Sequence, residues 1–292
     1  MNVAIFGKSF SDEGAVYLQQ LIDKFKSVQC GLLIYEPYLQ KIQNKVEVGS
    51  PFSTFNSHDE LKAGADILFS IGGDGTLLDT LSLVRNSGIP ILGVNLGRLG
   101  FLSSISKDEI LSAIDQVVDG NYTLDRRTVL SLKSPKNLFG NFNYALNELS
   151  ITKTDTNSLA VIDVFVEDKF LNTYWADGLL VATPTGSTAY SLSCYGPIIT
   201  PGSENIVITP IASHNLTVRP IVLPDSSLVT IRLGGRNRNY QVGLDSRSKT
   251  IDTGTELVIS RADFKINLIQ LINKDFFSTI RDKLLWGKDN RN

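Results

Sequence analysis

The sequence predicts two domains: a mostly parallel α/β domain over residues 1–125 and an all-β, sandwich-like domain over 126–271. Strand-length apolar runs alternate with stretches of helical periodicity as far as Asp125, which is the pattern of a parallel sheet with crossover helices. After Asp125-Arg126-Arg127 the segments become short and rich in β-branched and aromatic residues. Gly, Asn, Asp and Pro punctuate them, as in an antiparallel sandwich. A length of 292 residues fits two domains of roughly 150 each.

Val3–Phe6 reads as the first strand, and Ser11–Lys26 as a helix because Ala15, Leu18, Leu21, Ile22 and Phe25 recur on one face. Gly31–Tyr35 is the second apolar run. Asp66–Ile71 is a strand that runs straight into Gly72-Gly73-Asp74-Gly75, after which Leu77, Leu78, Leu81 and Val84 give Thr76–Arg85 helical spacing. Ile89–Val94 is the next buried strand. Ser106-Lys107-Asp108-Glu109 is a Ser-x-x-Glu capping box that opens a helix through Val118, and Gly120 stops it. In the second domain the expected strands are Thr128–Leu132, Leu159–Glu167, Leu171–Trp175, Ser227–Leu233, Asn239–Leu244, Glu256–Ser260 and Lys265–Ile269, with one helical insertion near Ser187–Ser193. Helical spacing returns in Asp275–Trp286 through Phe276, Phe277, Ile280, Leu284 and Leu285, which predicts a C-terminal helix within 272–292 packing back on the first domain.

A composition of 42% hydrophobic and 20% charged residues excludes a disordered chain. A net charge of -2 offers no positive field to hold nucleic acid by counterion release. No apolar run approaches the roughly 18 residues of a membrane helix, and Met1–Gly7 lacks the features of a secretory signal. Cys30 and Cys194 make no disulfide framework, so a reducing, cytoplasmic location is expected.

Four segments are candidates for chemistry. Gly7-Lys8-Ser9 imitates the end of a P-loop, but Asn2 stands where that motif needs glycine, so chance explains it. Gly72-Gly73-Asp74-Gly75-Thr76 lets the backbone turn sharply at a strand end, where N–H groups and a helix amino terminus can cradle phosphate oxygens. An acid there opposes phosphate unless its charge has a task such as accepting a hydroxyl proton; the competing reading is a tight turn with Asp74 as helix cap. Asp177–Ser193 is a run of hydroxyls and glycines that could bind a nucleotide, with Tyr190 facing a base, or simply form a turn with a capped helix. Asn147-Glu148, ending the apolar-polar segment Phe142–Leu146, could hold ribose hydroxyls or only contact solvent.

Taken together, Gly72–Thr76, Asn147-Glu148 and Asp177–Ser193 closely resemble the NAD kinase family, in order and spacing, over nearly the whole chain. Asn95-Leu96-Gly97-Arg98-Leu99-Gly100-Phe101-Leu102 resembles the Asn-x-Gly-x-Leu-Gly-Phe-Leu segment of the same family. The resemblance implies a Rossmann-like α/β N-terminal domain, related to those of phosphofructokinases and diacylglycerol kinases, followed by a β-rich NAD-binding domain. It implies that the chain transfers the γ-phosphate of ATP to the 2′-hydroxyl of the adenosine ribose of NAD. A divalent cation, Mg²⁺, would bridge the β- and γ-phosphates and keep several waters of its own.

The resemblance also assigns roles. Asp74 matches the proton acceptor, and Gly75 joins it near the reacting ribose; Gly72, Gly73, Gly75 and Thr76 form the phosphate-binding turn. Asn147 and Glu148 match the pair that binds polar groups of NAD, and Asp177 matches the aspartate on the nicotinamide half. Thr188, Ala189, Tyr190, Ser191, Leu192 and Ser193 match the adenosine pocket, with Phe101 approaching the adenine from the other side and Ala212 at a further contact. Trp175 stands where many relatives carry arginine, so a cationic contact is absent there, with stacking as the alternative. Arg247, where some relatives have glutamine, could pair with a pyrophosphate or be a solvated surface residue. His214 is given a structural or peripheral role, and His58 sits in a polar loop. The rival readings are a kinase of a lipid or sugar hydroxyl and a non-catalytic NAD sensor; relatives assemble as homodimers or homotetramers, and the same is expected here.

Overall fold

The computed structural model describes residues 1–286 except 11, 98, 99, 104, 156, 157 and 273. Ser11 of the expected first helix, Arg98 and Leu99 of the Asn95–Leu102 segment, and the end of the expected 272–292 helix lie outside the described residues. The chain divides into two compact units: Met1–Arg126 with the stretch from Ile266 onward, and Arg127–Lys265.

In chain order the first unit holds β1 (Asn2–Gly7), α1 (Ala15–Ser27), β2 (Gly31–Tyr35), α2 (Glu36–Ile42), β3 (Ser53–Phe55), α3 (His58–Gly64), β4 (Ile67–Ile71), α4 (Asp74–Val84), β5 (Ile91–Asn95), β6 (Ile105–Ser106), α5 (Ile110–Val118) and β7 (Tyr122–Arg127). The second holds β8 (Leu130–Ser134), β9 (Tyr144–Ala145), β10 (Glu148–Lys153), β11 (Ala160–Val166), β12 (Lys169–Ala176), β13 (Gly178–Ala182), α6 (Tyr190–Ser193), β14 (Asn205–Ile211), β15 (Ile221–Pro224), β16 (Val229–Gly234), β17 (Asn239–Leu244), β18 (Arg247–Asp252) and β19 (Glu256–Arg261). The chain then returns to the first unit as β20 (Ile266–Leu271) and α7 (Phe276–Leu284).

The first sheet runs β3-β2-β1-β4-β5-β20-β7, with β6 also on β5. The pairs β1 with β2 and β4, β2 with β3, and β5 with β4, β6 and β20 are parallel. Parallel strands with helices between them bury both faces, so β4 and β5 are buried along their whole length. The apolar stripe read from the sequence, Leu18, Leu21, Ile22 and Phe25, is buried on α1, where Phe25 meets Phe69 edge-on at a ring distance of 4.9 Å. Ser106 and Glu109 form the capping box on the 3₁₀ turn Lys107–Glu109 that leads into α5, and Gly120 stops the helix at φ 72°. Chain order reverses between β1 and β4, which makes the carboxyl ends of these two strands the topological switch point where α/β sheets bind ligands.

The second unit is two antiparallel sheets, β15-β14-β13-β10-β17-β18 and β12-β11-β16-β19-β8-β9. One apolar cluster joins them, with Leu149, Leu179, Ile208 and Val242 from one sheet and Ile162, Val164, Ile231 and Ile259 from the other. This is the sandwich the alternating patterns predict.

Three expectations change. Lys265–Ile269, placed with the second domain, becomes β20 and pairs Leu268 with Ile91 of β5 in the first sheet. His58, placed in a polar loop, opens α3 behind a Ser57 cap and sets its Nδ1 2.7 Å from the Leu83 carbonyl oxygen. The helical insertion is a 3₁₀ turn at Gly186–Thr188 followed by only four α-helical residues, too short to present a useful dipole.

Candidate active site

The candidate residues fall into two sets, one in each unit. In the first unit β4 ends at the switch point and the chain turns through Gly72, at φ 147°, into α4. Gly73 is the N-cap residue of α4, and Asp74 is its first residue. The reading of Asp74 as a simple helix cap therefore does not hold. Its carboxylate turns to the segment after β5 and accepts three successive backbone amides: Phe101 at 2.8 Å on Oδ2, and Leu102 at 3.0 Å and Ser103 at 2.9 Å on Oδ1. Gly100 makes the approach possible, because a Cβ there would run into the carboxylate. A carboxylate has about four lone-pair positions, so this clasp leaves one on Oδ2.

Not all of the Gly72–Thr76 turn is available to an anion. The Gly72 amide donates to Val94 O at 2.8 Å and the Thr76 amide to Gly73 O at 2.9 Å. Gly75 is exposed, with open space where a side chain would stand. Beside the switch point a cavity of about 280 Å³ is lined by Phe6, Tyr35 and Leu83, with Lys8 and Lys41 among its polar residues. Lys8 of the apparent P-loop is ion-paired with Asp79 at 2.8 Å.

The second set centres on the turn Leu146-Asn147-Glu148 that leads into β10. Every backbone polar group of these three residues is taken. The carboxylate of Asp245 accepts the amides of Leu146 (2.8 Å), Asn147 (2.8 Å) and Glu148 (3.2 Å), and the Asp245 amide donates to Glu148 O at 3.1 Å. Thr183 supplies the rest, its hydroxyl donating to Leu146 O at 2.5 Å and its amide to Asn147 O at 2.9 Å. Gly186 lies against the backbone of Asn147 so closely that a Cβ would collide with the carbonyl. Only the side chains of Asn147 and Glu148 are left to meet a ligand.

Glu148 is 9% exposed, and its Oε2 has no hydrogen-bond partner. Burial first, and then the nearby charge of Asp245, push its pKa up to about 8, against the opposing pull of the Tyr190 amide. Asp245 is itself pushed up to about 6 by burial, although three amides and Arg247 oppose the shift. Burial and the neighbouring Asp245 thus favour the protonated form of Glu148, while the three amides and Arg247 favour the ionised form of Asp245.

The Asp177–Ser193 run is more structural than its composition suggests. Ser187, buried, bonds Pro184 O and the Ile199 amide. Ser191 is fully buried with its hydroxyl 2.9 Å from Thr209 Oγ1, so this hydroxyl faces inward and away from a ligand. Thr188 donates to Thr185 O at 3.1 Å, Ala189 and Leu192 are half-buried, and Tyr190 and Ser193 are exposed. Asp177 joins β12 to β13, where the chain crosses between the two sheets, and Lys153 holds its carboxylate at 2.6 Å. Trp175 is 50% exposed at the end of β12, and its carbonyl takes the His214 amide at 2.8 Å. Ala212, exposed, follows β14 at φ 46°, a strained conformation for a residue with a side chain.

Arg247 is half-buried rather than a solvated surface residue. Its guanidinium donates to the carbonyls of Phe142 and Tyr144 and lies 4.9 Å from the Phe142 ring centroid. Asp245 is the residue the sequence reading missed. Its signal was only the two-residue Asp245-Ser246 link between β17 and β18, a hairpin turn with Asp245 at φ 51°. Among the described residues no group of three or more His, Cys, Asp and Glu is arranged to hold a metal ion.

Residues 35–122 match the ATP-NAD kinase N-terminal domain, and residues 146–271 match the ATP-NAD kinase C-terminal domain. The chain is 41% identical to an NAD kinase of Cytophaga hutchinsonii and 42% identical to one of Flavobacterium johnsoniae, in both cases over 100% of each chain. Among solved structures, a yeast NADH kinase in complex with NADH superposes with a TM-score of 0.87 at 26% identity, over 99% of this chain and 89% of that one. An NAD kinase from Archaeoglobus fulgidus in complex with ATP gives 0.77 at 22% identity, over 98% and 99%, a likeness of fold alone.

Proposed function

The chain belongs to the NAD kinase family, and from that premise we propose that it joins the 2′-oxygen of the adenosine ribose of NAD to the γ-phosphorus of ATP. The bond from that phosphorus to the β-phosphate oxygen breaks, ADP leaves, and the hydroxyl proton passes to Asp74, giving NADP. The observation that carries this reading is the Asp74 clasp: an ionisable oxygen, fixed by three amides at the amino end of α4, with one lone-pair position left for a hydroxyl. Phosphoryl transfer asks little covalent chemistry of the protein, so the main contributions are positioning and charge stabilisation.

With the Gly72 and Thr76 amides committed internally, the amides of Gly73, Asp74 and Gly75 at the start of α4 are the donors for phosphate oxygens among the described residues. ATP would enter as its Mg²⁺ complex, and the cation would supply charge neutralisation for the phosphates.

Asn147 and Glu148 bind polar groups of NAD, Glu148 as a protonated acid that can donate as well as accept. Asp177 meets the nicotinamide half. The exposed ring of Tyr190, with Thr188, Ala189, Leu192 and Ser193, lines the adenosine pocket, where Ser191 contributes backbone alone; Phe101 and Ala212 complete the contacts. The same reading makes the enzyme a cytoplasmic homodimer or homotetramer, and two free cysteines are compatible with that compartment.

The test is NADP formation by the purified chain from NAD, ATP and Mg²⁺, read through a strictly NADP-dependent dehydrogenase. Asp74→Asn should lower kcat by roughly 10² to 10⁴-fold while NAD still binds. Near-normal turnover in the variant would refute the role of Asp74. NAD binding by wild type without any NADP would refute the reaction.

A further inference from the structure

We propose that Asp245 and Arg247, on the tip of the β17–β18 hairpin, are positioning residues that hold the Leu146-Asn147-Glu148 turn in the shape that binds NAD. The inference rests on the reading of Asn147 and Glu148 as NAD-binding residues.

Of the six backbone polar groups in that turn, Asp245 satisfies four: three amides through its carboxylate and the Glu148 carbonyl through its own amide. Arg247 takes the opposite polarity in the approach to the turn, donating to the carbonyls of Phe142 and Tyr144 while lying over the Phe142 ring. One hairpin tip thus grips a segment about a hundred residues away by its N–H groups and its C=O groups together. Leu146 and Asn147 lie outside any strand and only Glu148 enters the ladder of β10 with β13, so the turn takes its conformation from the groups that bind its backbone. Here Asp245, with Thr183, supplies the fixed points of the turn and Arg247 those of its approach, and the side chains of Asn147 and Glu148 are the polar groups the turn still presents.

Asp245 also acts on Glu148 through its charge. The groups facing Glu148 are Asp245 from the hairpin, Tyr190 on α6 and Cys194 just after it, with Arg247 facing Asp245. Removing the Asp245 charge removes one of the two causes that keep Glu148 protonated, so the ionisation of Glu148 should move toward lower pH.

The experiment uses the full chain as wild type, Asp245→Asn and Arg247→Lys, with steady-state kinetics in both substrates, NAD calorimetry and thermal melts. Asparagine keeps the shape but turns an N–H donor toward an amide, and charge-assisted hydrogen bonds of this kind are worth about tenfold or more in binding. Asp245→Asn should raise KM and Kd for NAD by about that factor, leave KM for ATP within about twofold, and move the pH profile of kcat/KM for NAD toward acid. Arg247→Lys keeps a positive charge but cannot span two carbonyls, so the same selective rise in KM for NAD should follow, and it carries the test if Asp245→Asn does not fold. Melting temperatures that fall while KM, Kd and the pH profile for NAD stay at wild-type values would overturn the inference and leave the hairpin merely structural. Wild type that does not bind NAD would instead overturn the reading of the site.

Discussion

Glu148 shows how one residue changes meaning between sequence and structure. Beside Asn147 it reads as a polar strand-end residue with an ordinary carboxylate. In the fold it is buried, its Oε2 lacks a partner, and its pKa rises from 4.5 to about 8. The folded state therefore holds this proton more tightly than the unfolded chain does. The associated stability is complete at pH below the unfolded value and is lost as pH rises through the window from 4.5 to about 8. Glu148→Gln removes that dependence. Relative to wild type, the variant should gain melting temperature steadily between about pH 5 and about pH 9, by at least the roughly 2–4 °C that 1 kcal/mol represents in a chain of this size. A difference that stays flat across the series would mean that Glu148 titrates as an ordinary carboxylate. The partner that helps to perturb it, Asp245, lies 97 residues further along, a distance over which no local pattern carries information.

At the scale of elements, legibility followed length and periodicity. The long stripe of α1 and the Ser106–Glu109 capping box were readable because helical spacing and cap chemistry are local properties. The seven-residue helices α2 and α3 were not read, since two turns are too few to establish a period, although Ser57 before α3 and Glu60 in its first turn stand at cap spacing. The segment after β5 is an element of another kind: irregular backbone whose amides at Phe101–Ser103 are fixed by a carboxylate on α4. Gly100→Ala places a methyl group against that carboxylate. The variant should lose at least about tenfold in kcat and destabilise the protein by about 1–3 kcal/mol, as expected when buried charge-assisted hydrogen bonds break. Amide exchange at Phe101, Leu102 and Ser103 should quicken in step, and unchanged exchange there would show that the clasp does not depend on the glycine.

For the whole molecule, the informative element is the strand that leaves one unit to finish the other. β20 enters the first sheet between β5 and β7 after the chain has completed the sandwich, with Leu268, Ile269 and Leu271 buried. The first unit is therefore discontinuous in sequence, and its sheet is completed only near the end of the chain. Leu268→Ala should cost about 2–5 kcal/mol, the usual cost of truncating a buried leucine. Hydrogen exchange should show the loss of protection in β5 and β7 and little change in β13 or β17. Loss spread equally over both units would mean that the two unfold as one cooperative body. Periodicity alone assigned β20 to the sandwich, because a short run rich in β-branched residues looks the same in either sheet.

By itself the sequence determined what is local and chemical: alternating strand and helix periods, the texture change after Arg127, and four motifs whose residue types and order mark the family. The tertiary structure decided which of those residues are exposed and what each polar group is bound to. It turned Ser191 inward, drew Arg247 onto two carbonyls, fixed Asp74 under three amides and added Asp245 to the site. The physical reason is range. Propensity and periodicity act over a few residues, whereas a hydrogen bond or a buried charge is set by whatever the fold brings within about 3 Å, however distant it is along the chain.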